Sequence, residues 1–286
     1  MVISCFFSAI MMALVRYLTF HFHPFQVTFF RTFFSFILFI PWLIKNGTGI
    51  LKTTRMPQYA MRAVIGLSAM LMWFYALSRV PLSQATALSF TSPLITTFAA
   101  VIFLKEKTTF HRLAGLFAGF AGTLIILRPG FGEFNYISLF VLAAAVFWAS
   151  SSLLIKSLTK TEKPEVIVFY MTAIMTPLSL PIALLHWTMP QGSQWAILIF
   201  LGIVSNLFQI SLSKAFSKAD LTVILPFDFL RLIFAAIVAY LAFAEVIDVW
   251  TVIGSVIILG STVYVTYKEA RHKRRIKTAQ AIANLE

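Results

Sequence analysis

Cysteine is all but missing from this chain: of 286 residues only Cys5 carries a thiol, and it lies in an apolar run. No disulfide can form within the chain, and no Cys-based metal site can be assembled. Acidic residues are scarce as well, 10 Asp and Glu against 23 Lys and Arg, and charged residues together make up only 12%. Soluble domains usually carry about a quarter, so a soluble fold of this length would need a polar surface that these residues cannot supply. Catalytic signatures are missing too. There is no Gly-x-Ser-x-Gly, no His-Glu-x-x-His and no Gly-rich phosphate loop ending in Gly-Lys-Ser/Thr. The histidines (His21, His23, His111, His186 and His272) fall in loops, at span ends or on the tail. A hydrolase working in the bilayer would need a nucleophile beside a base, and none can be put together. No linker separates the apolar runs from a soluble domain, and no cofactor is expected.

What the chain has instead is hydrocarbon, 59% hydrophobic residues and a mean hydropathy of +0.88. Crossing the hydrocarbon of a bilayer takes about 17 to 25 apolar residues as a helix. Such runs occupy 2–20, 25–44, 60–78, 82–104, 112–127, 136–155, 166–186, 194–213, 221–243 and 250–267. The expected fold is an all-α integral membrane protein with ten transmembrane helices. Val2 to Phe20 is read as a span rather than a secretory signal, because no Lys or Arg precedes it and no polar domain follows.

The formal charge of +13 does not point to nucleic acid, because the basic residues sit in short loops between spans and on the tail. Eighteen of the 23 fall on one side, from Lys45, Lys52, Arg55 and Arg62 through to the tail Lys268 to Lys277. Only Arg79 and Arg128 fall on the other side, and Arg16, Arg31 and Arg231 lie within spans. Basic loops stay in the cytoplasm, so both termini are expected there. The basic tail either fixes the last span or forms an anionic-lipid patch. The partners implied are the lipid bilayer and a small-molecule substrate.

The chain also repeats itself. Shifted by 139 positions, Ala76-Leu77-Ser78-Arg79 meets Ala215-Phe216-Ser217-Lys218, Phe90 meets Phe229, Glu106 meets Glu245 and Gly115 meets Gly254. With one residue of slippage, Leu14-Val15-Arg16 meets Leu154-Ile155-Lys156. The units are expected at 1–135 and 136–267, followed by a basic tail at 268–286. Each holds five spans, an odd number, so the second must be inverted relative to the first. Inverted repeats in a helical membrane protein imply alternating access around a central cavity.

Three charges are costly where they sit: Arg31 in span 2, and Asp228 with Arg231 in span 9. A charge at the centre of a span costs about 2.5–3.5 kcal/mol on insertion scales. Asp228 and Arg231 are three residues apart and share a helix face. They form either a self-neutralising pair or part of a site in which Arg31 and Arg231 hold an anionic group. Arg16 is expected to snorkel to the interface. Pro93, after Ser89-Phe90-Thr91-Ser92, and Pro226, before Phe227-Asp228, break their spans at comparable places and free carbonyls there. Ser89, Thr91 and Ser92 therefore join the candidate substrate-binding residues. So do Trp73, Tyr75, Trp148, Asn206, Gln209 and Tyr170, the last being the repeat counterpart of Arg31. Each aromatic among them could equally serve helix packing.

The double repeat, with Phe25-Gln26-Val27-Thr28-Phe29-Phe30-Arg31, Ala85 to Pro93, the Glu106/Gly115 and Glu245/Gly254 spacings and Pro226 to Arg231, resembles the EamA type of the drug/metabolite transporter superfamily. The resemblance covers essentially the whole chain. It implies secondary transport through a central cavity, by exchange or proton coupling. The stretch Phe25 to Arg31 is similar to carriers of S-adenosylmethionine; riboflavin and amino acids stay open as substrates. The competing classes are a membrane-embedded lipid-modifying enzyme and a passive channel or scaffold.

Overall fold

The computed structural model describes residues 1–77, 88–106, 108–127, 136–243 and 249–283. Arg79, Ala85 to Ala87, Lys107, Arg128 and the acidic loop Glu245 to Asp248 lie outside them. The described residues are helical and contain no strand. In chain order the helices are α1 (Val2–Thr19), α2 (Pro24–Asn46), α3 (Met56–Leu77), α4 (Thr91–Phe103), α5 (Phe110–Leu127) and α6 (Ser138–Leu158). They continue as α7 (Pro164–Leu184), α8 (Gln194–Lys218), α9 (Leu221–Ile224), α10 (Leu230–Phe243) and α11 (Val249–Ala283). A 3-10 segment, Leu225–Phe229, joins α9 to α10. The break in predicted span 9 thus falls at Pro226, which has no amide hydrogen to continue the α-helical ladder. The last helix runs on through the basic tail, which lacks proline and glycine.

Six helical stretches among the described residues are long and apolar enough to cross a membrane: Val2–Thr19, Pro24–Asn46, Leu139–Leu158, Pro164–Leu184, Gln194–Lys218 and Leu221–Val238. Shorter apolar helices cover Thr91–Phe103, Phe110–Ile125 and Val252–Lys268. Large apolar side chains such as Phe103, Leu241 and Val263 stay uncovered. Exposing that surface to water is unfavourable, and lipid can cover it.

The helix pairings come in matched sets. Helix α1 packs on α8 and α10, as α6 packs on α3 and α4; α2 packs on α8 as α7 packs on α3; α2 meets α7, and α5 meets α11. Exchanging each helix for the one at the same place in the other repeat reproduces this pattern. Small residues allow the closest approaches. A Cβ on Gly202 of α8 would stand 2.7 Å from the Phe34 Cβ of α2, and one on Gly122 of α5 would stand 2.9 Å from the Gly254 carbonyl of α11. Phe90 and Phe229, which correspond in the repeat, stack on each other at 5.7 Å.

A clamp at one end fixes the turn from α8 into α9. The Glu106 carboxylate accepts from the Leu221 and Thr222 amides at 3.0 Å each, where the exposed N–H groups of a helix start favour negative charge. Lys156 donates to the carbonyls of Phe216 at 2.8 Å and Ala219 at 2.6 Å, the complementary arrangement at the end of α8. A cleft of about 290 Å³ opens beside the clamp, lined in part by Lys105, Lys160 and Asp220.

Candidate substrate site

Helix α2 starts where the sequence favours a start, with Pro24 at its first turn and His23 as its N-cap. Two turns further on it is held against α7 and α8 by short polar side chains. Ser35 donates to the Gly202 carbonyl at 3.2 Å, Asn206 donates to the Ser35 carbonyl at 3.0 Å, and the Thr32 and Ser179 hydroxyls meet at 3.4 Å. With that face occupied, Arg31 points the other way. Its guanidinium reaches the sulfurs of Met11 at 3.7 Å and Met70 at 3.2 Å, and its shielded Nε has no partner. Thioethers are weak acceptors. Among the described residues the charge has no counterion.

Asp228 and Arg231 do pair, at 3.5 Å across three residues, and both side chains keep some exposure. The Arg231 guanidinium also lies over the Phe90 ring, 5.0 Å from its centroid. The pair thus sits on the stack formed by Phe90 and Phe229. In the repeat, Asp228 and Arg231 correspond to Ser89 and Ser92, so charge is concentrated on one side of that stack. Ser89 is buried, and Thr91 donates to the Leu88 carbonyl at 2.6 Å as α4 begins.

The remaining candidates are not gathered in one place. Trp73 and Trp148 meet ring to ring at 5.5 Å, joining α3 to α6. Tyr75 is 41% exposed and lies against Phe140 at 5.1 Å. Tyr170 donates to the Leu51 carbonyl at 2.6 Å and packs on Tyr59 at 4.6 Å, which ties α7 to the segment before α3. The Asn206 nitrogen is spent on α2 while its Oδ1 is buried with no partner among the described residues, and Gln209 faces Arg62 of α3.

Residues 1–128 and 135–267 match the model of the EamA-like transporter family. The chain belongs to that family. This EamA-family chain is 34% identical over 265 residues to a protein named S-adenosylmethionine uptake transporter from Rickettsia felis, which covers 93% of this chain and 90% of that protein. It is also 34% identical over 256 residues to a protein named riboflavin transporter from Brucella anthropi, covering 87% and 89% respectively. A protein of known crystal structure superposes with a TM-score of 0.80 at 19% identity, covering 94% of this chain and 96% of the other, a likeness of fold alone. The EamA-family chain is a multi-pass membrane protein.

Sequence reading misplaced Arg62 in this EamA-family fold. Arg62, counted among the basic loop residues, lies inside α3 and is 2% exposed. The bias in loop charge survives its removal, since the opposite side still has only Arg79 and Arg128. The signal was present: the third apolar run, 60–78, already contains Arg62.

His23 caps α2 by accepting from the Phe25 amide at 3.4 Å, and its ring stacks on His186 at 4.1 Å. Burial first, and then the charge of His186, hold the His23 imidazole below the ordinary histidine value. The fold therefore favours neutral His23. Its contribution is complete above about pH 6.5, the unfolded value, and is lost as pH falls from there through the lower folded value. The Tm of the purified protein should drop between about pH 7.5 and about pH 5.5. His23→Asn, which caps without titrating, should flatten the drop; an unchanged pH slope would refute this role.

Proposed function

We propose that the chain is a secondary active transporter that moves a small polar organic metabolite across a bacterial cytoplasmic membrane by alternating access. S-adenosylmethionine, riboflavin and amino acids are the candidate substrates. The observation that carries the reading is Arg31, a charge deep in an apolar chain whose reachable partners are two methionine sulfurs. A buried charge left without a counterion is expensive, and a transient anionic or acceptor-rich ligand is the counterion it lacks. Names carried by the Rickettsia and Brucella relatives support the substrate class. The matched helix pairings support ten spans arranged as two inverted repeats, at 1–135 and 136–267. The test is counterflow in proteoliposomes preloaded with riboflavin, S-adenosylmethionine or an amino acid. A carrier gives saturable exchange that is stimulated by substrate on the far side. Flux without that stimulation would leave a channel, and chemical change of the compound would leave an enzyme.

The inside-in topology has its own test. Gly47 and Gly192 have φ of +75° and +49°, where a side chain strains the backbone, so the reporters belong beside them. An impermeant thiol reagent added from outside should label Met189→Cys and spare Thr48→Cys. The reverse pattern would invert the orientation and the inward placement of both termini.

A further inference from the structure

Arg62 has the same difficulty as Arg31, more severely. Its Nε and Nη1 are shielded and have no partner, and Nη2 reaches only the Gln209 side-chain oxygen at 3.5 Å, the far limit of a hydrogen bond. Every described carboxylate is engaged or placed elsewhere. Glu106 caps α9, Glu162 accepts from Thr53, Glu165 pairs with Lys214, Asp220 lines the cleft and Asp228 pairs with Arg231. Helices α3 and α8 are not among the packed helix pairs. The two side chains span the gap between these helices.

The repeat explains the geometry. Shifting Arg62, Gly66 and Met70 of α3 by 139 gives Leu201, Ser205 and Gln209 of α8, and the two stripes meet at Arg62 and Gln209. Ser205 donates to the Met11 sulfur at 3.8 Å, and Met11 also accepts from Arg31. Arg31 and Ser205 thus share the Met11 sulfur, and Gln209, which meets Arg62, lies one turn beyond Ser205 on α8. Met70, at Arg31, lies eight residues from Arg62 on α3, a rise of about 12 Å.

Building on the carrier reading, we infer that Arg62 and Gln209 form a second recognition point, about 12 Å along α3 from the Arg31 end. It takes the acceptor-bearing edge of a heteroaromatic ring while Arg31 holds the other end of the same metabolite. The chemistry fits that division. Guanidinium N–H groups donate, and a glutamine amide both donates and accepts, the combination that reads the mixed edge of a purine or a flavin. The separation suits a nucleoside-sized or flavin-sized ligand, and a free amino acid is too short to span it.

The test uses full-length protein carrying Ser205→Cys, between the two points, with Cys5→Ser. A small sulfonate-bearing methanethiosulfonate should label the thiol, and saturating S-adenosylmethionine or riboflavin should slow labelling several-fold, whereas glutamate should not. Adding Arg62→Gln should raise the concentration for half-protection by at least about tenfold, the worth of one hydrogen bond to a charged group. Arg62→Lys should fall between. An unreactive thiol, equal protection by glutamate, protection by neither ring compound, or protection untouched by Arg62→Gln would overturn the second point. Parallel counterflow separates the two readings. Exchange without ring-selective protection leaves the carrier and removes this site; protection without exchange does the reverse.

Discussion

Arg31→Ala is expected to abolish substrate exchange while the protein still inserts and purifies folded. Truncating a desolvated charged partner costs about 2–5 kcal/mol in complexes, which corresponds to between roughly thirty-fold and several-thousand-fold in affinity. Arg31→Lys should rescue only part of this, since a point charge replaces a planar fork. Stability should move the opposite way. Met11 and Met70 cannot neutralise the guanidinium, so the fold keeps Arg31 at a cost, and Arg31→Met should raise the Tm while remaining inactive. A purely structural arginine would behave differently, with its loss lowering the Tm. Wild-type exchange by Arg31→Ala would remove the residue from the site.

The second large effect concerns Asp228 and Arg231. Removing one partner of a buried pair costs about 3–5 kcal/mol in soluble proteins, and the partial exposure of both side chains makes that an upper bound here. Arg231→Gln alone should therefore be clearly less stable than wild type. The double change Asp228→Asn with Arg231→Gln should recover most of the lost Tm, because neither group is then a stranded charge. Its transport should not recover. Arg231 lies over Phe90, and Phe90 stacks on Phe229, so the guanidinium joins the two repeats at the break between α9 and α10. Asp228→Asn alone leaves the Arg231 guanidinium without its partner and should lower the Tm as well. Full transport by the double mutant would reduce the pair to a neutralised structural contact.

Helix-forming capacity was legible along the chain because it is local. Each apolar run buries its backbone hydrogen bonds within itself, so composition and length suffice to place it, and α1, α2, α6 and α7 start within two residues of the runs that predict them. Span 9 was legible in extent, and so was its breaker, Pro226. The offset of 139 is likewise a property of the string alone. That Asp228 and Arg231 share a helix face follows from spacing, and their ion pair follows from that face.

Rotation about the helix axis is not local. Whether an arginine faces lipid, loop or partner helix depends on which neighbour occupies its other sides, and one sequence carries no direct record of that. Arg62 read as one more basic loop residue until α3 was seen to place it against Gln209. Tyr170 corresponds to Arg31 in the repeat, yet its hydroxyl is taken by the Leu51 carbonyl because the segment before α3 folds over it. Trp73 and Trp148 were separate candidates and became one contact. Sequence by itself determined that this chain is a bundle of membrane helices, since hydropathy needs no third dimension. Only the tertiary structure decided which buried charges lack partners, because a counterion is supplied by whichever helix happens to face the charge.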